Sequence, residues 1–170
     1  MKGRAAGAAA QLDEAPDGFR LEEFLPYQLA VAANRVSRMF ARRYADEFGL
    51  SIPEWRVMAV VGRFESASPS MVSERAAMDK VKVSRAVGTL VARGLLKQTQ
   101  DPEDGRARVL RLTRKGLSTY QNLIPAAREL EEELSTGLNR TEWAQLRKSL
   151  ERLVAHVEKL EGPEAELDAE

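Results

Sequence analysis

Residues 78–106 read MDKVKVSRAVGTLVARGLLKQTQDPEDGR, and the order of signals within this stretch decides the fold. Asp79 offers a side-chain oxygen to the free amides of a helix start. From there Val83, Val87, Leu90 and Gly94 recur in one narrow sector at about 100° per residue, with Ala86 and Val91 at its edges. That sector is the expected buried face, and Gly94 is the expected stop. Two apolar stretches follow, Leu95 to Leu96 and Val109 to Leu112. They flank Asp101-Pro102-Glu103-Asp104-Gly105-Arg106, whose Pro, Gly and Asp are turn residues. The stretch therefore reads as a helix that runs directly into a two-stranded hairpin with a charged tip.

Upstream, Ser70 is a candidate cap for a short helix from Met71 to Ala77, which makes a helix–turn–helix with the one that follows. Ser51 and Glu54 are spaced as a capping box for an earlier helix, with Leu50 and Trp55 as a hydrophobic staple across it. Before that, Leu25, Leu29, Ala32, Val36, Met39, Phe40 and Tyr44 mark a long helix over 21–48. Pro26 marks its first turn or kinks it, and Gly49 lies at its end. Downstream, Thr113 caps a helix that reaches Leu134 and kinks at Pro125. Asn139 and Glu142 then form a second capping box, opening a last helix to Leu160. The fold class expected is mainly α with a small β-hairpin wing, a winged helix-turn-helix between long helices.

Composition narrows the chemistry. The 170 residues include no cysteine and one histidine, His156, which excludes disulfides, thiolate metal sites and cysteine nucleophiles and leaves no histidine-rich zinc site. No glycine-rich phosphate loop is present, so no cofactor is expected and an enzyme is not. No apolar run approaches the roughly 20 residues of a membrane span, and residues 1–20 read as a flexible tail, so a cytoplasmic protein is expected. The formal net charge is zero, but from Lys80 to Lys115 ten basic residues face three acidic ones. From Gly116 to Glu170 six basic residues face twelve acidic ones, and residues 162–170 read as an acidic disordered tail.

The outer face of the helix after Asp79 carries Val81, Arg85, Gly88 and Ala92, flanked by Lys82, Ser84 and Thr89, with Lys80 at its start. Small residues permit close approach to a DNA groove, arginine reaches guanine edges, and Val81 suits a thymine methyl. An ordinary solvated face is the alternative, but such faces usually carry glutamate, and none lies between Lys80 and Gln100. On the hairpin, Arg106 stands at the tip, where a narrow minor groove attracts a guanidinium. Asp101 or Asp104 is placed to orient it. Arg108 and Arg111 follow as candidate phosphate contacts.

The run from Met78 to Val87, then Arg93-Gly94-Leu95, Asp101 to Arg106, and Leu112-Thr113-Arg114-Lys115-Gly116 resembles the MarR family of bacterial regulators. Trp55-Arg56-Val57-Met58 fits that family's second helix. The resemblance implies a homodimer joined by its end helices, residues 21–50 and 114–161, each subunit offering a winged helix-turn-helix over 51–113. It implies Ser84 and Arg85 as recognition contacts and Arg106 at the wing tip. Lys82 stands where the family often has a small hydroxylated residue. A pseudo-palindromic duplex with half-sites about 10 bp apart is the partner it implies. The resemblance also implies repression, released by a small aromatic or acidic effector or its thioester. Tyr27, Asn34, Arg38 and Trp55 are the candidate pocket, with Arg38 as carboxylate holder. For Arg38 an intersubunit ion pair, and for Trp55 a plain core role, stand as alternatives. A dimeric winged-helix scaffold without DNA binding is the rival from another class.

Overall fold

The computed structural model describes residues 18–100 and 107–162. Asp101, Asp104 and Arg106, together with the two tails expected at the chain ends up to Asp17 and from Pro163, lie outside the described residues. Among the described residues, six α-helices and one two-stranded antiparallel sheet follow a short 3-10 turn at Leu21–Glu23. Their order is α1 Leu25–Phe48, α2 Ile52–Phe64, α3 Pro69–Ala76, α4 Lys80–Ala92, β1 Leu96–Gln100, β2 Arg108–Leu112, α5 Arg114–Ser135 and α6 Arg140–Glu161. This is the winged helix-turn-helix expected. No described helix is long and apolar enough to cross a membrane.

The helix boundaries follow local chemistry. Pro26 sits in the first turn of α1, where its missing N–H is not needed. Gly49 closes α1 at φ 61°, a conformation that penalises any side chain, and its amide donates to the Ala45 carbonyl at 2.9 Å. Ser51 and Glu54 then form the capping box: the Ser51 amide donates to Glu54 Oε2 at 2.8 Å. At α3 the cap is Ser68 and not Ser70. The Met71 amide donates to Ser68 Oγ at 3.1 Å, and Pro69 occupies the first turn, which moves the helix start two residues earlier. Thr113 Oγ1 accepts from the Gly116 amide at 3.0 Å, as a cap should. Asn139 and Glu142 make the second capping box. The helix expected to kink at Pro125 runs through that residue as one element.

The chain divides into two compact units, a first ending at Tyr120 and a second starting at Gln121. The first holds a closed apolar core. Val57, Met58 and Val61 of α2, Val72 of α3, Val83, Val87 and Leu90 of α4, and Leu95, Leu96 and Leu110 around the hairpin are all buried. Each such side chain contributes about 1.5–3 kcal/mol through its removal from water. The hairpin register pairs Leu96 with Leu112, Lys97 with Arg111, Gln98 with Leu110, Thr99 with Val109 and Gln100 with Arg108. Ala67 adds one rung on the other side of β2, exchanging two backbone hydrogen bonds with Leu110 at 3.1 and 2.9 Å. The second unit contains the end of α5, where Leu123, Ala126 and Leu130 are buried, and α6, where no residue is.

Candidate nucleic-acid interface

Helix α4 divides as its period dictates. Val83, Ala86, Val87 and Leu90 face the core, while Lys80, Val81, Lys82, Ser84, Arg85, Gly88 and Thr89 are exposed. Val91, placed at the edge of the buried sector by periodicity, is 39% exposed. A cavity of about 400 Å³ with Lys80, Ser84, Gly88 and Gln98 on its walls lies to one side of the exposed strip. Another of about 230 Å³, walled by Glu54, Lys82, Arg85 and Thr89, lies to the other. The exposed strip of α4 is thus a ridge between two hollows. A helix with its side chains is about 10–12 Å across, close to the roughly 12 Å width of a DNA major groove. A ridge with cations in its flanking hollows is the shape that admits such a groove and meets its phosphate walls.

Three side chains around this strip are already engaged: Asp79 in the cap its spacing implies, and Lys82 and Thr89 in contacts that spacing alone does not suggest. Asp79 caps α4 by accepting from the Lys82 amide at 2.7 Å, and its other oxygen lies 2.9 Å from Lys82 Nζ. The Lys82 amide bond first, then the Lys82 side chain, hold the Asp79 carboxyl below its ordinary range. The helix start therefore carries its own anion, and the charge of Lys82 is partly answered within the chain. Thr89 donates its hydroxyl to the Arg85 carbonyl at 3.1 Å, which leaves its methyl and oxygen lone pair facing outward. Arg85 itself is exposed and has no acidic partner among the described residues.

The hairpin is tied to α4 by a knot of four residues. Arg93 caps α4, and its guanidinium donates to the Gly49 carbonyl at 2.8 Å and the Phe48 carbonyl at 3.1 Å. It also lies 3.6 Å from Glu54 of the α2 capping box. Lys115 Nζ donates to the Arg93 carbonyl at 3.1 Å, and Thr113 Oγ1 to the Gly94 carbonyl at 2.7 Å. Gly116 completes it: a Cβ there would lie 1.9 Å from the Leu95 carbonyl oxygen. The end of α4, the ends of both strands and the starts of α2 and α5 are locked together, so the direction of the hairpin is fixed relative to the exposed ridge. These residues stood in the family-like motif, but their contacts span up to 45 positions and no local pattern announces them.

The hairpin cations separate. Side chains alternate faces along a strand, so Arg108 shares its face with Gln98, Gln100 and buried Leu110. Arg111 lies on the opposite face with Lys97 and Thr99.

The residues expected to form an effector pocket are dispersed in character. Tyr27, Asn34 and Arg38 are exposed along α1, the last two one turn apart, and Trp55 is half-buried on α2. Trp55 packs on Tyr44, ring centroids 5.0 Å apart. Periodicity in the sequence marks Tyr44 only as an apolar position. It is fully buried, burial pushes its hydroxyl up to about 12, and that hydroxyl has no hydrogen-bond partner among the described residues.

Comparison with known proteins places these observations. The MarR family matches residues 48–107, from the end of α1 to the start of β2. The chain is 29% identical to the transcriptional repressor IacR of Pseudomonas putida over 87% of this chain and 88% of that one. A solved MarR-family regulator of Silicibacter pomeroyi superposes with a TM-score of 0.71 at 28% identity, covering 82% of this chain and 98% of that one. BpsR of Bordetella bronchiseptica, whose DNA binding is regulated by 6-hydroxynicotinic acid, shares the fold. Its TM-score is 0.73 at 24% identity, covering 80% of this chain and 96% of that one.

Proposed function

We propose that this chain, which belongs to the MarR family of winged-helix transcriptional regulators, works as a homodimeric repressor of pseudo-palindromic duplex DNA. A small aromatic or acidic molecule, free or as its thioester, releases it. The observation that carries the DNA half of this reading is the exposed face of α4: small residues and cations on a ridge, with Arg85 unpaired among the described residues. In this reading Arg85 and Ser84 address base edges, Val81 a thymine methyl, and Lys80, Lys82, Thr89 and Arg108 the backbone and groove rim. Arg106 enters the minor groove, oriented by Asp101 or Asp104.

The dimer half rests on α6. Trp143, Leu146, Leu150, Leu153, Val157 and Leu160 alternate in steps of three and four, the spacing of a coiled-coil seam, yet no residue of α6 is buried and Leu160 is 72% exposed. Such a stripe is stabilised by a second copy that removes it from water. The effector half rests on Tyr44. A buried hydroxyl without a partner is uncommon, and one beside Trp55 suits an incoming carboxylate or ring nitrogen. Arg38, with Asn34 and Tyr27 above it on α1, would meet the charged end. The aromatic acid that regulates BpsR, a protein of the same fold, is of this chemical class.

The test is selection of tight-binding duplexes from genomic fragments, followed by anisotropy titration at several salt concentrations with Arg85→Ala beside the parent. Selective, salt-dependent binding by the parent and its loss in Arg85→Ala supports the reading. Equal affinity for selected and random duplexes overturns it. Adding benzoates, nicotinates and their coenzyme A thioesters to the bound state tests release.

A further inference from the structure

The hairpin places two cations directly opposite each other. Lys97 of β1 pairs with Arg111 of β2, both exposed, on the face that turns away from buried Leu110. The backbone pattern sets how close they are. The Thr113 amide donates to the Leu95 carbonyl at 3.0 Å, so that rung is a hydrogen-bonded pair, and alternation makes the Lys97–Arg111 rung another. Directly opposed residues in such a pair have Cα atoms about 5.5 Å apart. Like charges in that position oppose strand pairing. Neither side chain has an ion pair or side-chain hydrogen bond among the described residues, so nothing described on the chain offsets the repulsion. Thr99, on the same face one step along β1, supplies a hydroxyl. The two neighbouring positions on that face, Thr99 and Val109, carry no charge, so the positive potential is concentrated at a single rung.

We infer that Lys97 and Arg111 form a phosphate clamp: together they hold one backbone phosphate of the duplex on the outer side of the wing. The inference rests on the DNA-binding reading above and adds to it a site on the opposite face of the hairpin from Arg108. Its chemistry suits a singly charged phosphodiester lying across two exposed cations. A guanidinium offers two parallel N–H donors, the ammonium a mobile point charge, and two such groups on one rung converge on one phosphate more readily than on two. The hairpin is locked to α4 through Arg93, Thr113, Lys115 and Gly116, so a phosphate held here fixes the angle at which the wing leaves the recognition helix. No base is read at this rung. The clamp contributes affinity and register, and it contributes equally to any sequence.

The experiment measures anisotropy of a selected duplex and a random duplex across a salt series, for the parent, Lys97→Gln, Arg111→Gln and the double variant. One shared phosphate predicts that the slope of log K against log salt falls in magnitude by about 0.9 in the double variant. Affinity for both duplexes should fall together by about tenfold, leaving their ratio unchanged. Because one phosphate is shared, the loss in the double variant is smaller than the sum of the losses in the two single variants. Thermal unfolding without DNA gives a second reading: relieving the like-charge pair raises the midpoint in each single variant. A double variant with the parent's slope overturns the clamp while the regulator reading stands. A change in the ratio between duplexes overturns it in favour of base reading. A lowered midpoint overturns it in favour of a structural role. A parent that binds no duplex overturns both readings.

Discussion

The core of the first unit and helix α6 are made from similar residues and meet opposite fates. Around α4, valines and leucines at helical spacing close on one another: Val57, Val61, Val72, Val83, Leu90 and Leu110 are at most 1% exposed. In α6, leucines and valines at the same kind of spacing leave every residue of a 22-residue helix unburied. The difference is one of available surface. Short helices at steep changes of direction, punctuated by Ser51, Ser68 and Asp79, bring several faces to one centre. A single long helix has one stripe and needs a surface to lay it on. The same apolar pattern therefore closes a core in one place and leaves an uncovered stripe in the other.

The sharpest way to break that comparison is to put a charge into the α6 stripe. Leu153→Asp is expected to abolish dimerisation, shifting the mass by light scattering from twice 18.9 kDa to 18.9 kDa, with selective DNA binding lost. A variant that remains dimeric would move the interface off α6. Next in size is Gly116→Ala. Its Cβ would lie 1.9 Å from a backbone oxygen that already accepts from Thr113, so the knot behind the hairpin must open. A loss of about 3 kcal/mol in denaturant unfolding is expected, as for an overpacked core. Parent-like stability would mean that the knot yields easily.

Smaller and opposite in sign is Gly88→Ala. A Cβ at Gly88 meets nothing within 4 Å, and glycine inside a helix is worse than alanine by about 0.5–1 kcal/mol. The free protein should gain that amount while affinity for a selected duplex falls, because the added methyl sits on the ridge. Unchanged affinity would take Gly88 off the groove contact. The smallest effect is expected from Asp79→Asn. The folded-state pKa of Asp79 lies below 3.8, so its contribution is fully present above about that pH and is lost as pH falls through the lower folded value. The Asn variant should flatten the acid limb of stability below about pH 3.8. It should also bind random duplex slightly tighter, since Lys82 loses its internal partner.

The sequence by itself determined the order of the elements and which face of α4 is outward, because caps and periodicity act over three or four residues. Asp79, Ser51 and Glu54, Asn139 and Glu142, and Gly49 do in the structure what their spacing implies. Ser68 caps α3 in place of Ser70 because Pro69, compatible with a loop or with the first turn of a helix, takes the helical position. Tertiary structure alone decided the rest. Arg93 reaches Gly49 across 44 positions, Lys97 meets Arg111 only once the strand register is set, and Arg108 and Arg111 part company because a strand alternates its faces. It also left Tyr44 buried with its hydroxyl unanswered among the described residues. Contacts of that kind depend on where separate segments are carried by the packing of the core, and no local pattern of residues encodes the distance between them.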